Sequence, residues 1–113
     1  MTKQEVRELR EEMKLFRERY ANSTNKYERQ ILSELLSAMR DCEMNNSLVE
    51  SAADNLKDVM IEYCYEEEHP NEPALDSVVR AAEQYKALRD NLERNEATVR
   101  DMRNMLMYAD LRG

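Results

Sequence analysis

The chain has one glycine, Gly113, two prolines, Pro70 and Pro73, one histidine and no tryptophan. Sheet proteins need residues that accept positive φ in their tight turns, and here only Asn and Asp are placed to supply them. Long β-branched runs are missing as well. These absences exclude a β-rich fold and leave an all-α chain. Phosphate-cradling loops need internal glycine, so nucleotide-binding motifs are excluded too. No stretch approaches 18 consecutive apolar residues, which excludes a membrane-spanning helix. Aromatic residues make up only 6% of the chain.

What is present is charge. Charged residues reach 36% and hydrophobic residues 42% of the 113 positions. That balance is too apolar for wholesale disorder and suits helices with a narrow apolar stripe and a broad charged face. The length fits one helical domain, residues 1–113. The net charge of −7 is the wrong sign for a general nucleic-acid binder, which needs a basic face. The opening "MTKQEVRELREEM" is too charged for a secretory leader, so the expectation is an intracellular, cytoplasmic protein.

Three apolar patterns follow one another. Val6, Leu9, Met13, Phe16 and Tyr20 recur at spacings of 3 and 4, the signature of a helix with a heptad stripe. The polar segment "ANSTN" (21–25) interrupts the stripe, and Asn25 with Glu28 reads as a capping pair. Residues 3–44 are therefore either one helix or two helices broken at 22–25. The stripe resumes as Ile31, Leu32, Leu35, Leu36, Met39 and Cys42, on a wider face that calls for more than one neighbour.

Next comes "EMNNSLVE". Asn45 and Asn46 favour turns, and Ser47 with Glu50 forms a capping box before an apolar run. The reading is a turn at 45–47 and a new helix over 48–67. It carries Val49, Ala52, Ala53, Leu56, Val59, Met60, Tyr63 and Cys64 as two apolar rows. The last helix is expected over 73–111. Ala74, Val78, Ala81, Tyr85, Leu88, Leu92, Asn95, Val99, Met102, Leu106 and Ala109 keep a strict 4-3 alternation there. Its flanking positions Ser77, Gln84, Asn91, Thr98 and Met105 are uncharged, which favours a multi-helix assembly over an isolated zipper.

These elements predict an antiparallel bundle of three or four helices with a long C-terminal coiled-coil helix. The last helix would be about 58 Å long against about 30 Å for the one before it, at 1.5 Å per residue. On that reading half of its stripe lacks a partner within the chain. Leu92, Asn95, Val99, Met102, Met105 and Leu106 are then candidates for assembly, either with copies of the chain or with a helical partner protein. The Met-rich end, through Met107, Tyr108 and Leu111, is apolar on more than one face and suits adaptable contacts.

A second candidate surface is acidic. No Lys or Arg falls between Lys57 and Arg80. Glu66, Glu67, Glu68, Glu72 and Asp76 cluster there as a corner between helices. Glutamates at a helix C-terminus oppose its dipole, so stability alone does not account for Glu66–Glu68. The corner is a candidate dock for a basic partner, in a small regulatory inhibitor or chaperone. The same stretch offers a third reading: Glu62, Glu66 and His69 as carboxylate–histidine metal ligands in a dimer. Against it, His69 precedes Pro70 and is pushed out of helical geometry. Cys42 and Cys64 match no zinc spacing and read as free thiols on neighbouring antiparallel helices. The first helix also bears Lys3, Arg7, Arg10, Lys14 and Arg17, interleaved with acids as on a solvated face. No nucleophile, catalytic dyad or cofactor motif is legible. The chain reads as a non-enzymatic interaction protein.

Overall fold

Among the described residues the chain folds as three helices. The computed structural model describes residues 1–65 and 72–112. Helix α1 spans Lys3–Asn22, α2 spans Lys26–Tyr65 and α3 spans Glu72–Arg112. Among the described residues there is no strand, and no residue has a positive φ. The all-helical reading is met.

The starts of α1 and α2 have local causes. Thr2 caps α1: its hydroxyl accepts from the Glu5 amide at 3.1 Å, and the Glu5 carboxylate accepts from the Thr2 amide at 3.3 Å. This reciprocal pair satisfies two otherwise orphaned donors. The polar segment after Tyr20 ends α1. Ser23 turns extended, at φ −77° and ψ 135°, and α2 starts anew. The Asn25 side chain accepts from the amides of Tyr27 (2.9 Å) and Glu28 (3.2 Å), as an N-cap should. Of the two readings for residues 3–44, the broken one holds. The corner is then fastened by side chains. Arg19 donates to Glu28 at 2.8 Å, and the Arg29 guanidinium lies 4.5 Å from the Tyr20 ring centre.

The turn expected at 45–47 is absent. Helix α2 runs through it for 40 residues. The physical reason lies in packing. Asn, Ser and Asn cost only a few tenths of a kcal/mol each in a helix interior, a weak local preference. Asn46 is buried, with its amide donating to Glu50 at 3.4 Å, and nothing at these positions requires a left-handed residue. Ser47 and Glu50 match a capping pattern but sit inside a continuous helix.

The chain packs as two units. The first comprises Met1–Met44 and Glu93–Gly113. Its core joins all three helices: Leu9 and Met13 from α1; Ile31, Leu32, Leu35, Leu36, Ala38, Met39 and Cys42 from α2; Val99 and Leu106 from α3. Phe16, Tyr20, Met102 and Ala109 pack against its edge. Ion pairs show the directions. Arg10 meets Glu43 and Arg19 meets Glu28, so α1 and this part of α2 run antiparallel. Arg103 meets Glu12 at 2.6 Å and Arg19 also meets Asp110, so this part of α3 runs parallel to α1. Arg19 thus holds two carboxylates. Its hydrogen bonds, first to Asp110 and then to Glu28, push its pKa above the ordinary value.

The second unit is Asn45–Leu92, built from the later part of α2 and the earlier part of α3. It is thinner. Its buried residues are Asn46, Ala52, Ala81 and Leu92 among those described. Leu56, Val59, Tyr63, Val78, Tyr85 and Leu88 reach only partial burial. Two helices bury the stripe between them but cover only one flank of each apolar face.

Candidate interaction surface

The uncovered flank in the second unit forms a trough of about 810 Å³, open along the surface. One wall is α2: Ala53, Leu56, Lys57, Met60, Ile61, Cys64 and Tyr65, with Tyr85 of α3 opposite. The α2 residues follow i, i+3, i+4, i+7, i+8, i+11 and i+12, which places them on one helical face. Met60 and Ile61 are 49% and 45% exposed, and Tyr65 87%. The same unit exposes Leu48, Leu75 and Val79. Arg89 lies 5.7 Å from the Tyr85 ring centre, so one side of that wall is cationic.

A second, smaller depression of about 370 Å³ lies in the first unit, lined by Tyr27, Asn104, Met105, Tyr108 and Ala109. Met105 and Tyr108 in its lining are exposed, and so are Met107 and Leu111 of the same helix. The Met-rich end is thus partly open, as its composition implies.

The premise behind the assembly set is not met. Helix α2 is 40 residues long against 41 for α3, so α3 does not outrun its neighbour by half its length. Leu92, Val99 and Leu106 are buried within the chain, Met102 is half-buried against the core, and Met105 is exposed. Asn95 is half-buried, and its amide nitrogen is buried without a hydrogen-bond partner among the described residues. The uncharged flanking positions Ser77, Gln84, Asn91, Thr98 and Met105 are all exposed.

The acidic corner is reached only in part. Glu66, Glu67 and Glu68, with His69 and Pro70, lie outside the described residues. Glu72 opens α3, and Asp76 is exposed. The metal reading therefore rests on Glu62 alone of its three residues, and Glu62 is exposed on α2. Among the described residues no group of three His, Cys, Asp or Glu is placed to hold a metal ion.

The two cysteines share α2 rather than facing each other from neighbouring helices, and both are free. Cys64 lines the trough. Cys42 is buried in the first unit's core. Burial, and secondarily Glu96, pushes its thiol up to about 11, with Arg103 pulling the other way. Cys42 is thus a neutral, unreactive core residue at neutral pH.

No helix among the described residues is long and apolar enough to cross a membrane. Comparison with known protein families, curated proteins and solved structures finds no match. Periodicity had placed Ala53, Leu56, Met60 and Cys64 on apolar rows. It missed Ile61, Tyr65 and the openness of the face, because period shows which residues are apolar and not whether another helix covers them.

Proposed function

We propose that this protein is a non-enzymatic helical interaction module that captures a helix of a partner protein. The observation that carries the reading is the open apolar trough along α2 in the second unit. Contiguous exposed apolar surface costs solubility in an isolated chain and marks docking faces. The face has the stripe an added helix needs, with Leu56, Met60, Ile61 and Cys64 one turn apart in pairs. Its methionine adapts to varied partners. Seating one helix there would complete a three-helix bundle around the second unit, and a helical hairpin would make four, with heptad-like packing along α3. The partner is protein and the setting intracellular.

The open shape argues against a small molecule, because small-ligand pockets enclose most of their ligand. The test is binding of labelled amphipathic helical peptides, of either charge, followed by fluorescence anisotropy. Ile61→Glu should abolish binding with helicity and melting unchanged. If no amphipathic helix binds at micromolar concentration and the chain sediments as a monomer, the reading fails.

A further inference from the structure

The distribution of charge narrows the partner. The first unit contains thirteen Asp and Glu against thirteen Lys and Arg, a net charge of zero. The second contains eleven Asp and Glu against four Lys and Arg, a net −7. The whole net charge of the chain sits in the unit that carries the trough.

The acids there are ordered. Glu50, Asp54, Asp58 and Glu62 follow one another at i+4 along α2, and all are exposed. At 100° per residue this row runs beside the row Ala53, Lys57, Ile61 and Tyr65, which lines the trough. Glu50 accepts from Asn46, but Asp54, Asp58 and Glu62 join no ion pair among the described residues. Like charges spaced i+4 destabilise a helix by a few tenths of a kcal/mol per pair. The row therefore costs stability without an internal partner, and it borders an apolar face.

We infer that the trough seats a basic amphipathic helix of a partner protein: an apolar stripe in the trough, and Lys or Arg on the flank that meets Asp54, Asp58 and Glu62. The inference rests on the interaction reading above and adds the sign of the partner. The α2 wall from Ala53 to Tyr65 is about 18 Å long, which fits about three turns of helix. A second copy docked trough to trough would bring two acidic rows, and two units each of net −7, towards each other, and such like-charge contact is unfavourable. Lys57 lines the trough and is exposed, and a lysine stem can cover apolar surface while its charge stays in water.

The test uses the full chain and three synthetic peptides of equal length: an amphipathic Leu/Lys helix, an amphipathic Leu/Glu helix, and a Leu/Lys peptide of the same composition with the stripe scrambled. Binding is read by anisotropy at low and at physiological salt, with sedimentation of the chain alone. The expected result is binding of the Leu/Lys helix at least about tenfold tighter than either control, weakening as salt rises. Asp54→Lys/Asp58→Lys should weaken it by about tenfold or more while leaving helicity intact. If the Leu/Glu helix binds as tightly and Ile61→Glu removes both, the trough is a helix dock but the basic partner is overturned. Concentration-dependent dimerisation that Ile61→Glu abolishes would overturn it in favour of a second copy. If neither amphipathic helix binds, or the scrambled peptide binds equally, the basic-helix proposal falls; with no helix bound and a monomeric chain, the interaction reading falls with it.

Discussion

Leu35→Ala and Met60→Ala remove side chains of similar size from opposite settings. Leu35 is 0% exposed, enclosed with Leu32, Met39 and Met13 in the first unit. Truncating it leaves a cavity that a core joined by three helices cannot close, at a cost of about 2–5 kcal/mol. For a chain of this length, the midpoint of about 3.5 kcal/mol corresponds to a fall in melting temperature of roughly 15 °C. Met60 is 49% exposed on the trough. Full burial of such a side chain is worth about 1.5–3 kcal/mol, and it has only about half of that to lose, less the methylene that Ala retains. Met60→Ala should therefore cost about 1 kcal/mol or less, comparable with an ordinary surface change. The assay is urea unfolding followed by circular dichroism, at several protein concentrations. A Met60→Ala loss as large as that of Leu35→Ala would mean that Met60 is covered in the isolated protein. The trough would then be closed in solution, and the argument for a vacant docking face would be refuted.

Three further outcomes follow from single side chains. Asn25→Ala removes the acceptor for two amides at the start of α2 and should cost about 1 kcal/mol by denaturant unfolding, with Asn25→Asp close to neutral. Asn95→Leu removes a buried amide nitrogen that has no partner among the described residues, and should raise stability by about 1 kcal/mol; a loss would show that the amide is paired in solution. A thiol reagent should label Cys64 rapidly and Cys42 only after denaturation. The Cys42 thiol rises from 9.0 to about 11, so the folded state favours its protonated form. That contribution is fully present below pH 9 and is lost as pH rises through 11, amounting to about 2–3 kcal/mol. Cys42→Ala should flatten this part of the pH–stability curve relative to wild type.

Much of this fold is legible in its residues because the strong signals are local or periodic. Leu9, Met13, Leu35, Met39, Val99 and Leu106 lie on the expected stripes and are buried. The start of α2 can be read from Asn25, whose side chain does cap the helix. The cap at Thr2 carries the same kind of signature, Thr followed three residues on by Glu. The failure at 45–47 is of a different kind. Asn-Asn-Ser is a weak preference of a few tenths of a kcal/mol per residue, and it yields when packing on both sides favours one helix. That single error shortened the helix expected over 48–67 and created an apparent overhang. It moved the proposed assembly face to a set of which the chain itself buries Leu92, Val99 and Leu106. The trough, by contrast, depends on which flank the neighbouring helices leave open, a property of the packed structure alone. The charge row at 50, 54, 58 and 62 needs a continuous α2 before it reads as one face.

The central claim is that the open face of α2 in the second unit takes up a partner helix. Hydrogen exchange of the full chain, with and without a saturating Leu/Lys amphipathic helix, tests it most directly. The account predicts slowed exchange over 53–65 and around Tyr85, with rates over 26–40 unchanged. Protection confined to the first unit, or no protection anywhere in the chain once the peptide is shown to be bound, would contradict it.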